Sequence, residues 1–263
     1  MSIVIDTAND IRIIAMDRPE RRNAVDTVTA DALHAAFADF DSDPSVSVAV
    51  LTGTGGQFCA GADLKAVSAG EDTGARLQID PAGGRLRKGP MGPTRMTLSK
   101  PVIAAVEGHA VAGGLELACW CDLRVAAETA IFGVFCRRFG VPLVDLGTIR
   151  LPRLIGQSHA MDMILTGRAV AAEEAARMGL VNRLVPEGRA LDTALELARR
   201  LAGLPQTCLR NDRLSAIEQW DLPLDAAMRN ELQRGLDTLA SGETQTGASA
   251  FSAGAGRHGS ERS

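Results

Sequence analysis

The chain has 263 residues, 46% hydrophobic and 23% charged, with a formal net charge of −4. That length supports a large buried core. The mildly acidic balance gives nucleic acid or an anionic membrane no electrostatic claim as partner; the basic clusters Arg21–Arg22, Arg85–Arg87–Lys88 and Arg137–Arg138 read as solvated surface or as a meeting point for an anionic small molecule.

Residues 2–7 and 11–16 predict two strands around "ANDI", a hairpin. Their alternation and early acids are unlike a secretory signal. A polar loop, "DRPERRNAVD", leads into a helix with Val28, Leu33, Ala36, Phe37 and Phe40 at helical spacing, capped by Asp26 or Thr27. "SVAVLTGTGG" predicts a buried strand running into a glycine turn, "KPVIAAVEG" another, and "DLRVAAETAIFG" a third with a turn at its end. Between them, residues 66–95 are rich in Gly, Pro and Arg and predict a helix fragment followed by a mobile, pocket-covering loop.

Beyond residue 150 the pattern is helical. "LIGQSHAMDMILTG" and "AAEEAARMG" each end at a glycine suited to terminate a helix. "VNRLVP" predicts a short strand, and three helices follow between residues 190 and 241, the first stopped by Gly203 and Pro205. The small, polar final stretch, "GASAFSAGAGRHGSERS", predicts a frayed end. Strands alternating with helices up to about residue 190 indicate an α/β layout with a helical C-terminal region. The most apolar run, 102–123, is interrupted by Glu107, His109 and Glu116, which argues against a membrane span. Five cysteines (59, 119, 121, 136 and 208) contain no CxxC pair, which argues against a disulfide framework or zinc site and for the cytoplasm.

Two glycine turns follow buried strands, "LTGTGGQFCAGADLK" (51–65) and "EGHAVAGGLELA" (107–118). A helix starting near Gly113 leaves its first N–H groups without intrahelical partners, and its positive end favours a negative oxygen. A second N–H from the turn near Ala62 would complete an oxyanion hole; glycines that merely permit tight turns would leave the same trace. Neither turn satisfies GxGxxG or GxxxxGK[ST], which disfavours a nucleotide site. Glu116 stands in an apolar segment, where burial raises a carboxyl pKa toward the range useful for proton transfer; a structural carboxylate hydrogen-bonded to backbone is the other reading. No histidine has a serine partner in a nucleophile-like motif, so a serine peptidase is disfavoured.

"RPERRNAVD" (18–26), "FCAGADLK" (58–65), "KPVIAAVEGHAVAGGLELACWCDLRVA" (100–126) and "LTGRAVAAEEAARMGLVNRLVP" (165–186), in that order, resemble the crotonase (enoyl-CoA hydratase/isomerase) superfamily along nearly the whole chain. The resemblance implies a crotonase-like spiral of ββα units over 1–200 and a helical trimerisation or lid region over 201–263. It also implies acyl-CoA thioester substrates, no metal or redox cofactor, and a homotrimer or dimer of trimers. Carried over, the Ala62 and Gly113 amides form the oxyanion hole. Arg22, Ala24, Ala60, Gly61, Asp63, Leu64, Lys65 and Gly114 line the CoA and acyl path, with Lys65 and Arg22 placed to meet phosphates.

Glu116 matches one of the two glutamates with which the family's hydratases hold water. The position of the second falls at Cys136, in the acyl-binding region, where a thiol is a weak hydrogen-bond partner. That departure puts efficient hydration in doubt. Asp145, in "VPLVDLGT", lies about where some superfamily members carry a working aspartate, and it is equally suited to cap the following helix. Isomerisation through Glu116 and Asp145, alone or together, and non-catalytic acyl-CoA binding are the alternatives.

Overall fold

The computed structural model describes residues 2–70 and 77–255. They divide into two compact units, Met1–Leu201 and Ala202–Ser263. In the first, β1 (Ile3–Ala8) and β2 (Ile11–Met16) form the expected antiparallel hairpin. β2 then leads a parallel series through β3 (Val48–Gly53), β4 (Val102–Val106), β6 (Leu123–Ala127) and β9 (Arg183–Val185). β3 and β4 are apolar on both faces because both are covered, as parallel strands usually are.

A second sheet holds β5 (His109–Val111), β7 (Ile131–Gly133) and β8 (Val170–Ala171). A parallel bridge from Cys59 to Ala110 extends it by one position. Successive stretches of chain thus repeat one path, a strand in the large sheet, a short strand in the small one, then a helix. After β3 comes Cys59 and α2 (Leu64–Ser68); after β4 come β5 and α3 (Gly113–Trp120). Stacking these turns sets the start of α2 beside the start of α3. The sequence pattern showed "DLRVAAETAIFG" as one strand; it is two, β6 and β7, because the turn at Glu128–Ala130 carries the chain from one sheet to the other.

α1 (Thr27–Ser42) is capped by Asp26, whose side chain accepts from the Thr29 amide, and buries Leu33, Ala36, Phe37 and Phe40. Val28, at helical spacing with that set, is exposed instead. α4 (Gly147–Thr166) follows β7, with a break at Gly156, and ends at Gly167 in the left-handed conformation. α5 (Ala172–Arg177) and α6 (Ala190–Ala202) complete the series.

In the 66–95 stretch the expected helix fragment is the end of α2, which runs to Ser68. Residues 71–76 lie outside the described residues, while residues 89–94 are all buried and form a wall rather than a cover. In the second unit, α7 (Gln206–Glu218) and α8 (Leu224–Ala240) are followed by α9 (Glu243–Ser252). α9 occupies part of the stretch expected to fray. Gly242, at φ 82°, breaks α8 from it, and the Glu243 carboxylate accepts from the Thr207 and Cys208 amides at the half-buried start of α7. The remainder of that stretch, residues 256–263, lies outside the described residues. Among the described residues no helix is long and apolar enough to cross a membrane.

Candidate active site

A cavity of about 640 Å³ opens in the first unit. Of the residues singled out in the sequence, Arg22, Ala24, Ala60, Ala62, Asp63, Leu64, Lys65, Gly113, Glu116, Cys136 and Asp145 line it. Gly61 and Gly114 do not; they let its walls meet. A Cβ on Gly61, at φ 95°, would come within 2.9 Å of the Gly113 nitrogen, and one on Gly114 would collide with the Cys59 carbonyl. These are close approaches of backbone to backbone that any side chain would prevent.

The Ala62 turn is held by a parallel bridge to Val25, in which Val25 N donates to Gly61 O and Asp63 N to Val25 O. That pattern leaves Ala62's own N–H facing the other side. Gly113 begins α3 just after Ala112, whose φ of 53° is unusual for a residue with a side chain. Among the described residues no acceptor engages the Ala62 or Gly113 N–H, and both residues line the cavity.

The loop that carries Arg22 and Ala24 is fixed from within. Asn23 is buried, with its side-chain amide donating to the Thr54 and Gln57 carbonyls. Arg22 O accepts from Ala60 N, tying this loop to the glycine turn. Asp63 caps α2 and pairs with Arg18 at 3.0 Å. Burial raises its pKa, but the Arg18 guanidinium and the α2 amides outweigh burial and hold it below the usual carboxylate value. Its part is structural. Arg22 and Lys65 are exposed cations at the cavity's edge.

Glu116 is 3% exposed. Its Oε1 accepts from the Asp145 amide at 2.9 Å and the Gly147 amide at 2.8 Å. Oε2, bonded to no described residue and not enclosed, is the oxygen left for the cavity. Burial, reinforced by the Asp145 charge, pushes its pKa up to about 7; the two amides and Arg150 pull the other way. Leu146, between the two donors, has φ 67°, the left-handed turn that aims both N–H groups at one oxygen. Glu116 therefore caps α4 across space. Asp145, for which a helix cap is one of two readings, does not serve as one: the N-cap position is Leu146, with no side-chain bond.

The Asp145 carboxylate, 2% exposed, instead turns to the 89–94 wall. Its Oδ1 accepts from the Met91 amide at 2.9 Å and from the Thr94 hydroxyl. Gly89 and Gly92 close the tight turn that presents Met91, each donating to the other's carbonyl. Arg95 donates to the Leu77, Gln78 and Val144 carbonyls, binding that wall together. Arg150, in the first turn of α4, donates to the Asp145 carbonyl at 3.2 Å. Met91, Thr94, Gly147 and Arg150 were not singled out in the sequence; only the "GPMG" turn left a readable trace there.

Cys136 lies in a 3-10 turn, Phe135–Phe139, and faces the cavity. Burial raises its thiol pKa, and the Glu116 charge adds to the rise, while Arg137 opposes it. A thiol held neutral is no nucleophile. All five cysteines are free. Among the described residues no three His, Cys, Asp or Glu side chains are grouped as metal ligands.

An enoyl-CoA hydratase EchA19 from Mycobacterium tuberculosis is 36% identical over 246 residues, covering 91% of this chain and 89% of the relative. A mevalonyl-coenzyme A hydratase, SIDH, from Beauveria bassiana is 38% identical over 242 residues, 89% of this chain and 85% of its own. The crystal structure of enoyl-CoA hydratase EchA1 from Mycobacterium marinum superposes with a TM-score of 0.87 at 35% identity, covering 95% of each chain. The family model described as enoyl-CoA hydratase/isomerase matches residues 6–254. With its paired sheets, its glycine turns and these likenesses, the chain belongs to the enoyl-CoA hydratase/isomerase family, the crotonase superfamily, and is an acyl-CoA enzyme of that type.

Proposed function

We propose that the chain turns over enoyl-CoA thioesters through an enolate, held by the Ala62 and Gly113 amides, while Glu116 moves the proton. One observation carries this reading: two N–H groups without acceptors among the described residues and a buried carboxyl with pKa near 7 line a single cavity. The thioester oxygen accepts from both amides, each such donor being worth about 3–4 kcal/mol of barrier. In hydration, ionised Glu116 takes a proton from water as its oxygen bonds to C3. The C2–C3 π pair moves toward the thioester, and Glu116 returns the proton to C2. The reading includes no metal or redox cofactor.

Cys136 favours a second reaction. One carboxylate suffices to take a proton from C2 of a 3-enoyl thioester and deliver it to C4, shifting the double bond without a held water. Asp145 supports either route by its charge beside Glu116 and its hold on Met91. On this reading Arg22 and Lys65, two of the cations that line the cavity, meet the CoA phosphates.

Purified protein offered trans-2-enoyl-CoA and 3-enoyl-CoA esters should accelerate at least one reaction, with product identified by mass spectrometry. Glu116→Gln should lower that rate by about 10²–10⁴ while still binding ester. Full rate in the variant would remove Glu116 from the chemistry, and tight binding without turnover of any ester would make the chain a CoA-ester binder.

We infer in addition that the chain works in the cytoplasm as a trimer or dimer of trimers. The five free thiols suit a reducing compartment. α8 leaves Leu224, Met228 and Leu232 exposed at four-residue spacing, an apolar stripe suited to a second copy.

A further inference from the structure

The cations that line the cavity are confined to one side. Among the described lining residues the cations are Arg21, Arg22 and Lys65, all carried by the two loops around residues 20–24 and 60–67. The lining segments at 77, 90–91 and 135–144 contribute Leu77, Met91, Phe139, Val141 and Val144, with no charged side chain among them. The carboxyls on this side are Glu116 and Asp145, both at the buried floor, and Asp145 is committed to Met91 and Thr94.

This apolar side runs from floor to solvent. Met91 at the floor is buried, whereas Leu77 is 49% exposed and Phe139 70% exposed. Arg95 donates to the Leu77 and Val144 carbonyls, which ties the backbone at Leu77 to the same wall. Phe139 follows Cys136 in one short 3-10 turn, and the Val141 amide bonds back to the Cys136 carbonyl. Both side chains line the cavity, so they offer apolar surface that a ligand reaching out of it could cover.

We propose that Leu77 and Phe139 are specificity-determining residues that select CoA thioesters with extended, uncharged, apolar acyl chains over short or anionic ones. The inference rests on the CoA end lying at Arg22 and Lys65. A short acyl group reaches Met91 and Cys136 and leaves the rim in water. A longer chain covers the rim, and each methylene so buried tightens binding by about fourfold. A terminal carboxylate on a short chain would be set among apolar walls beside the carboxyls of Glu116 and Asp145, and among the described lining residues no cation stands on this side.

Calorimetry with butyryl-, octanoyl-, dodecanoyl- and glutaryl-CoA on the full chain tests this. The expected result is affinity rising with length, dodecanoyl-CoA binding at least about 50-fold tighter than butyryl-CoA, and glutaryl-CoA weakest. Leu77→Ser and Phe139→Ser should each weaken dodecanoyl-CoA more than butyryl-CoA, with circular dichroism confirming the fold. Equal affinity for all lengths, preference for butyryl- or glutaryl-CoA, or variants that weaken every ester alike would overturn the inference while leaving the proposed function standing. Failure of every ester to bind would overturn the proposed function itself.

Discussion

Glu116 Oε1 accepts from the Gly147 amide at 2.8 Å, so the carboxyl carried by α3 also terminates the free end of α4. One oxygen is structural and the other is turned to the cavity. A Cβ on Gly147 would lie 2.7 Å from that same Oε1, which leaves glycine as the residue that fits.

Gly147→Ala should therefore displace the Glu116 carboxylate without altering any group that touches substrate. An ångström of misplacement costs on the order of 100-fold in rate. The expected outcome is a fall in kcat of that order with KM nearly unchanged, checked by steady-state kinetics on whichever ester is turned over. A wild-type rate would show that the α4 amide does not set the carboxyl's position.

The pH profile follows from burial of Glu116. With a pKa near 7, its carboxylate fraction falls about tenfold per unit below that pH, so kcat/KM should rise toward a plateau above it. Stability runs the opposite way. The folded chain keeps this proton up to about pH 7, while the unfolded chain releases it near 4.5. Stability contributed by the neutral form is full below 4.5 and is lost as pH rises through 7. Glu116→Gln should thus gain on the wild type by up to about 3 kcal/mol at pH 8, with the gap closing toward pH 4.5. Denaturant titrations at several pH values measure it; a gap independent of pH would contradict the raised pKa.

Gly114 holds two turns of the spiral together. Gly114→Ala would drive its Cβ into the Cys59 carbonyl, and both partners are backbone. Overpacking of this kind typically costs about 1–3 kcal/mol. We expect a lowered Tm and, because the Gly113 amide moves with it, weakened acyl-CoA binding. Calorimetric melting and a binding titration on the same sample would show both; a change in neither would mean that the turns meet with room to spare.

The α8 stripe makes a prediction about assembly. Light scattering should find a trimer or hexamer, and Leu232→Glu should shift it toward smaller species with secondary structure kept. A monomeric wild type at micromolar concentration would rule the assembly out.

The parts legible in the sequence were those with local causes. Glycines followed by a helix-forming run marked the start of α3, and alternation marked the β1–β2 hairpin. Continuous apolar runs marked β3 and β4, because strands covered on both faces need no alternation. What stayed hidden depends on distant partners. Nothing near Asp145 announces that its carboxylate serves Met91, 54 positions earlier in the chain. β5, only three residues long, carries too little pattern to be seen before its neighbours are known. α9 was concealed by small residues whose helix depends on Glu243 closing α7.

The aspartate at 145 joins two properties that a designer would treat separately. Its side chain anchors the Met91 turn, its negative charge raises the proton affinity of Glu116, and its own amide grips that same glutamate. Reshaping the chain-binding wall by loosening this anchor would therefore retune the acid–base group at the same stroke. On the proposed reading, selectivity and reactivity in this scaffold share a hinge pin, and altering one alone calls for changes at Leu77 or Phe139, away from that pin.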